Sequence, residues 1–194
     1  MTDSKRGQFI LLQLLTIARL PISIAFAVVL LNVDRTTPVV ATLFVLLLLG
    51  EITDGLDGWV ARRLNLVSEW GAMLDPYADS VSRLIIYWAL GAAGLGLTIV
   101  PLVMAIRDVT TAYCRIVWTR RGGSVSARIS GKIKAVVQCV AAFVMLVIPF
   151  AWPEYDKLTV LTVSWIVIVT TALSGIDYAA VTIKGLIADR DSQD

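Results

Sequence analysis

From Phe9 onward the chain is a succession of apolar runs, each close to the ~20 residues a helix needs to cross the hydrocarbon core of a bilayer. Nothing else restricts the fold so strongly. In hydrocarbon, backbone N–H and C=O groups must be paired within the protein, so such runs become helices. The runs place helices at about 9–31, 38–56, 72–96, 98–119, 130–150 and 158–180. The expected fold class is all-α: a polytopic membrane protein with six transmembrane helices. Only 16% of residues are charged, against about a quarter in a soluble domain, which argues against a water-soluble helical core. One membrane domain is expected over 1–185, with a polar C-terminal tail at 186–194. No small-residue cleavage site follows the first apolar run, so no secretory signal peptide is expected.

Orientation follows from the distribution of Lys and Arg. One set of connections and ends holds Lys5, Arg6, Arg62, Arg63, Arg120, Arg121, Arg128, Lys132, Lys184 and Arg190. The other holds Arg35 and Lys157. This asymmetry puts both termini in the cytoplasm. It also puts the stretch 54–79 at the cytoplasmic face. Trp59, Trp70, Trp118, Trp152 and Tyr155 lie near helix ends, as interfacial anchors do.

That stretch, DGLDGWVARRLNLVSEWGAMLDPYAD, carries Asp54, Asp57, Asp75 and Asp79. Carboxylates beside a lipid-facing segment are expensive and mark a pathway, a cation or a reaction. Asp54 and Asp57 are three apart, and Asp75 and Asp79 are four apart, so each pair shares a helix face. The short connection makes the two helices antiparallel neighbours whose acidic faces converge. Like charges this close need compensation, and a divalent cation supplies it. The chain has no His, and Cys114 and Cys139 lie in apolar runs as packed thiols. An all-oxygen ligand set favours Mg²⁺, Mn²⁺ or Ca²⁺. Two hard ions held by carboxylates suit phosphoryl chemistry. Gly58 and Gly71 flank the cluster and permit close approach to a ligand. Arg62 is placed to hold a phosphate, and Pro76 is expected in the first turn of its helix.

The pattern Asp-x2-Asp-Gly-x2-Ala-Arg-x8-Gly-x3-Asp-x3-Asp resembles the signature of the CDP-alcohol phosphatidyltransferases. It is matched at Asp54, Asp57, Gly58, Ala61, Arg62, Gly71, Asp75 and Asp79. The resemblance implies a six-helix membrane enzyme, usually a homodimer. Such an enzyme joins the lipid of a CDP-linked donor such as CDP-diacylglycerol to an alcohol and releases CMP. It implies a centre of two ions, Mg²⁺ or Mn²⁺, held by Asp54, Asp57 and Asp75. Asp79 lies at the same ions and acts as general base. Asp54, Gly58, Ala61, Arg62 and Gly71 would receive the cytidine nucleotide. It also implies a cell or inner membrane location, membrane lipid as a partner, and no nucleic acid.

The acceptor is read from basic residues near the same face. Arg107 and Arg115 are eight apart on one helix, and intramembrane Arg implies a partner or a watery cavity. Arg107 is followed by Asp108, which can neutralise it. Lys132 and Lys134 open the fifth helix after Gly131, and such a cluster suits a phosphorylated alcohol. QLLTIAR (13–19), Arg107-Asp108, GSVSARISGKIKAVVQ (123–138) and SGIDY (174–178) are similar to segments of the family's glycerol-3-phosphate branch. Glycerol 3-phosphate is therefore the leading acceptor. Ser80 departs from that branch, where Lys is common, and from the inositol-phosphate branch, where Arg is. Inositol phosphate and a lipid alcohol, as in cardiolipin-type synthesis, stay open. Arg83, one turn after Asp79, is expected to pair with it. Arg19 is expected to pair with Glu51 or Asp177, in a stabilising role. A cation transporter is the competing class, but its carboxylates would sit near the bilayer midplane.

Overall fold

The computed structural model describes residues 3–63, 69–120 and 129–191; within these, the side chains at 57–62 and at several helix ends lie outside the description. Arg121 and Arg128, read above as topology signals, lie outside the described residues. The described residues form seven α-helices in order: α1 (Asp3–Ile17), α2 (Arg19–Asn32), α3 (Thr37–Arg63), α4 (Glu69–Ala92), α5 (Ile99–Arg120), α6 (Ile129–Ala151) and α7 (Asp156–Asp191). A single 3₁₀ turn at Pro153–Tyr155 precedes α7. There is no strand among the described residues.

The first expected helix is two helices in a line. Pro21 has no N–H to offer the carbonyl of Ile17, and its ring crowds that carbonyl. The helix is interrupted at Ala18, while Ala18 N still donates to Leu14 O (2.9 Å). The second helix is longer than expected. Its apolar span ends at Leu56, but the helix continues to Arg63, so the aspartate motif begins inside it. At ~1.5 Å per residue α3 is about 40 Å long, beyond the ~30 Å of hydrocarbon. α4 starts at Glu69, which places Pro76 inside the helix and not in its first turn. It ends at a Gly94 with φ 77°. Leu95 N donates to Leu90 O (2.8 Å) and Gly94 N to Gly91 O (3.1 Å), the left-handed cap that favours glycine. α7 runs on past Ala180 to Asp191.

Among the described residues, four spans are long and apolar enough to cross a membrane: Leu12–Asn32, Thr37–Leu56, Ile129–Ala151 and Pro153–Ile187. α4 carries Glu69, Asp75, Asp79 and Arg83, and α5 carries Arg107, Asp108, Arg115 and Arg120. Those charges keep both helices out of that set. Large apolar side chains such as Leu14, Val45, Ile106, Leu173 and Ile176 are exposed on the outer surface. In water so much exposed apolar surface would drive aggregation; against lipid it is the solvated face. The protein is an integral membrane protein.

The packing corrects one expectation. α2 packs against both α3 and α4, and α1 also touches both. Among the described residues, the acidic helices flank the N-terminal helix pair rather than packing mainly on each other, while their charged faces still meet where Arg83 of α4 reaches Glu51 of α3 (3.4 Å). α6 packs on α7, α3 and α4, and α5 closes against α7 and α4. The core is apolar around Phe26, Leu43, Leu90, Met104, Met145, Leu146 and Val167. Set into it are Arg19, Arg83, Lys134 and Gln138, all buried. Gln138 Nε2 donates to Thr171 Oγ1 (3.0 Å), and Tyr87 OH donates to Gln138 O (2.7 Å). Ionisable groups inside a membrane bundle face its interior and find partners.

Candidate active site

The acidic side of the site is made by α3, α4 and the junction of α1 and α2. On α3, Glu51 and Asp54 stand three apart, on one face. On α4, Asp75, Asp79 and Arg83 repeat every four residues, again on one face. The α1–α2 junction supplies Thr16 and Arg19. Arg19 Nη1 donates to Asp54 Oδ1 at 2.6 Å. Thr16 Oγ1 donates to Asp75 Oδ1 at 3.2 Å. Arg83 Nε donates to Asp79 Oδ1 at 2.7 Å, and Arg83 reaches Glu51 Oε2 (3.4 Å) and Ala135 O (3.3 Å). The expected Arg83–Asp79 pair is present. Arg19 pairs with Asp54, not with the Glu51 or Asp177 expected for it; Asp177 accepts from Ser130 Oγ on α6.

Between these groups lies a void of about 20 Å³, lined in part by Arg19, Glu51, Asp54, Asp79 and Arg83. That is room for one water-sized occupant. A hard divalent ion needs several oxygen donors, and Asp54, Asp75 and Asp79 offer only oxygen. The donor chemistry fits Mg²⁺ or Mn²⁺. Among the described residues no three carboxylate, thiol or imidazole side chains yet converge as a ligand set. The side chains of Asp57, Gly58, Ala61 and Arg62 lie outside the description; their backbone is helical, in the last turns of α3. Gly71 lies in the first turns of α4.

The basic side is a separate, larger cavity of about 670 Å³ between α4, α5, α6 and α7. Arg107, Arg115, Lys132 and Lys134 all line it, together with Ser80, Asp108 and Tyr178. So does Asp79. Asp79 thus borders both the small acidic void and the basic cavity. Arg107 is held from several directions. Its Nη1 donates to Asp108 (2.9 Å), its Nη2 donates to Ser174 Oγ (2.8 Å), and the guanidinium lies 5.3 Å from the Tyr178 ring centroid. Gly175 permits this, and Gly131 lies in ordinary contact with it. A Cβ at Gly175 would meet Arg107 Cγ at 3.1 Å, and one at Gly131 would meet Arg107 Nη2 at 3.4 Å. Lys134 Nζ donates to the same Asp108 oxygen at 3.3 Å. Arg115 buries its Nε without a hydrogen-bond partner among the described residues, and Lys132 is exposed.

Trp118 does more than sit near a helix end: its Nε1 donates to Thr182 Oγ1 (3.3 Å) and its ring packs over Gly185. Trp152 and Tyr155 are exposed, and the side chains of Trp59 and Trp70 lie outside the description. Sequence reasoning missed Thr16 as a site residue. The signal was available: Gln13, Thr16 and Arg19 fall on one face of an otherwise apolar run.

The fold and these contacts define an integral membrane protein whose charged residues gather at one interior site, acidic on one side of Asp79 and basic on the other. The chain belongs to the CDP-alcohol phosphatidyltransferase family, whose sequence pattern matches residues 9–176, and it is a transferase. It is 31% identical over 139 residues to the CDP-diacylglycerol--glycerol-3-phosphate 3-phosphatidyltransferase of Bacillus subtilis (strain 168), covering 69% of each chain. It is 32% identical over 152 residues to the protein of the same name from Salmonella typhimurium (strain LT2), covering 76% of this chain and 82% of that one. A probable phosphatidylglycerophosphate synthase of Mycobacterium tuberculosis (strain H37Rv) is 30% identical over 142 residues, which span 70% of this chain and 63% of the relative.

Proposed function

We infer that the protein transfers the phosphatidyl group of CDP-diacylglycerol to the hydroxyl of glycerol 3-phosphate, forming phosphatidylglycerophosphate and releasing CMP. One observation carries this reading beyond the family. Asp79 lines the same cavity as Arg107, Arg115, Lys132 and Lys134, so a proton acceptor and four anion-binding groups address one space. The names of the Bacillus and Salmonella relatives support the same substrates.

In this reading Asp79 takes the proton from the acceptor hydroxyl. The freed oxygen bonds to the phosphorus that carries the lipid. The bond from that phosphorus to the bridging oxygen breaks, and CMP departs with the electron pair. Arg115 and Lys132 engage the acceptor phosphate, with Arg107 and Lys134 behind them on Asp108. Gly58, Ala61, Arg62 and Gly71, with Asp54, receive the nucleotide. Asp54, Asp57, Asp75 and Asp79 would hold one or two Mg²⁺ or Mn²⁺ ions, which when bound neutralise the phosphate oxygens and the leaving group. All six apolar stretches cross the membrane, α4 and α5 with their charges turned inward, and both termini lie in the cytoplasm. The site then opens to a cytosolic alcohol and a membrane-borne donor at the cytoplasmic face of the cell or inner membrane. A homodimer is the expected assembly.

One observation favours a second reading. Ser80 lines the cavity where Lys is common in the glycerol-3-phosphate branch, beside apolar Val81, Leu84, Val109 and Ile116. That wall would suit a lipid alcohol. The test supplies purified protein with CDP-diacylglycerol and Mn²⁺ and offers glycerol 3-phosphate, inositol phosphate, inositol, serine and phosphatidylglycerol separately. CMP release is expected with glycerol 3-phosphate, and its loss on chelation. Release with another acceptor alone would overturn the first reading, and unchanged turnover after thorough chelation would remove the metal centre.

A further inference from the structure

The α1–α2 junction brings to the carboxylates a cation that the aspartate motif does not contain. Arg19 lies within the apolar span Leu12–Asn32 and is 3% exposed. Its contact with Asp54 is lopsided: the guanidinium is enclosed, while the Asp54 side chain is 43% exposed. Both border the small void, with Glu51 and Asp79. One turn earlier on the same face, Thr16 donates to Asp75. The α1–α2 junction therefore touches a motif carboxylate from each acidic helix.

We propose that Arg19 is a built-in counter-cation of the carboxylate centre: it neutralises Asp54 while no divalent ion is bound and competes with that ion for Asp54, so that it sets the metal affinity of the site. The inference rests on the metal-centre reading given above. A guanidinium 2.6 Å from Asp54 Oδ1 occupies a coordination position of that oxygen. It also spreads its positive charge over the place where a second cation must enter. Clustered carboxylates left without compensation would repel one another, so the metal-free fold needs Arg19. The ion, when it binds, has to overcome it. Arg19 is on this view a positioning residue whose removal has opposite effects on two quantities. The metal-free protein becomes less stable, and the ion binds more tightly. A purely structural arginine would lower both.

The experiment titrates Mn²⁺ into purified wild-type, Arg19→Gln and Arg19→Lys proteins without substrate, reading free Mn²⁺ by its electron paramagnetic resonance signal. Thermal unfolding is followed with and without the ion. Arg19→Gln is expected to bind Mn²⁺ about tenfold more tightly, a change of about 1.4 kcal/mol. Its unfolding midpoint should fall without Mn²⁺ and recover as the ion saturates. Arg19→Lys, charged but unable to make the forked contact, should bind a few-fold more tightly than wild type. Equal or weaker Mn²⁺ binding by a folded Arg19→Gln protein overturns the proposal. Should that variant aggregate, weaker binding by Arg19→Lys overturns it. Absence of Mn²⁺ binding by the wild type removes the metal centre and this inference with it, a result distinct from unchanged affinity between variants.

Discussion

Asp108 is the group whose removal tests the basic cavity most directly. Its Oδ1 accepts from Arg107 Nη1 at 2.9 Å and from Lys134 Nζ at 3.3 Å, and the three side chains are 10%, 11% and 6% exposed. At an effective dielectric constant of about 20, each contact carries a gross attraction of about 5–6 kcal/mol. Most of that is offset by desolvation, and deleting one partner of a buried pair costs a net ~3–5 kcal/mol. Asp108→Asn keeps an oxygen acceptor in place, and Arg107 keeps Ser174 and Tyr178. Its cost therefore falls at the low end, about 3 kcal/mol. For a chain of this size that lowers the unfolding midpoint by roughly 6–12 °C. The variant also leaves Arg107 and Lys134 without this counter-charge, which a phosphate in the cavity would supply. Glycerol 3-phosphate at about a hundred times its dissociation constant should return ~2.7 kcal/mol to any protein that binds it only when folded. The midpoint of Asp108→Asn should therefore rise toward that of the ligand-free wild type with glycerol 3-phosphate, and should not rise with glycerol. The assay is thermal unfolding of purified protein in detergent, with each additive in turn. A midpoint within about 2 °C of wild type, against the 2–4 °C expected per kcal/mol, would refute the shared-carboxylate argument. Equal recovery by glycerol would refute the assignment of the cavity to a phosphate.

Two further substitutions separate chemistry from packing. Asp79→Asn removes the proton acceptor but leaves Arg83 its contacts with Glu51 and Ala135; CMP release should fall ~10²–10⁴-fold in a protein that still elutes as a folded species, and full activity would sink the general-base role. Gly185→Ala sets a Cβ 2.5 Å from the Trp118 ring, an overpacking of about 1–3 kcal/mol. Its unfolding midpoint should drop, the same substitution in a Trp118→Ala background should cost much less, and turnover at low temperature should persist because neither residue lines the cavity.

The aspartate motif could be read because its spacing is local. Three or four residues along a helix fix a shared face whatever the rest of the chain does. The helix ends were less legible. A composition window marks where apolar character stops, at Leu56, while the backbone stays helical to Arg63. Charged side chains are good helix formers at a membrane margin, so hydropathy and helicity end at different residues. Pro21 was in plain view but was outweighed by the continuous apolarity around it. The tertiary order of helices was not legible either. A short connection suggests neighbours, yet α2 packs against both acidic helices, because its apolar face fills the space better than the charged ends of α3 and α4 fill it for each other.

Among the described residues, three buried cations, Arg19, Arg83 and Lys134, and the largely enclosed Arg107 show where this limit lies. An ionisable residue in an apolar run announces that it has a partner. For Arg83 and Arg107 the partner is four residues and one residue away, within reach of any helix, and both pairs could be named from spacing. For Arg19 and Lys134 the partners lie 35 and 26 residues away. Those partners are chosen by helix packing, which spacing does not encode. The consequence bears on function. Local pairs travel with their own helix and hold a charge in place. Pairs between helices bind two elements through one carboxylate, so whatever competes for that carboxylate also acts on the packing. Asp54 and Asp108 are such carboxylates, one beside the acidic void and one on the basic cavity. Ligands that enter at either place must exchange charge with a helix–helix contact, and so the protein's stability should report on its ligands at both.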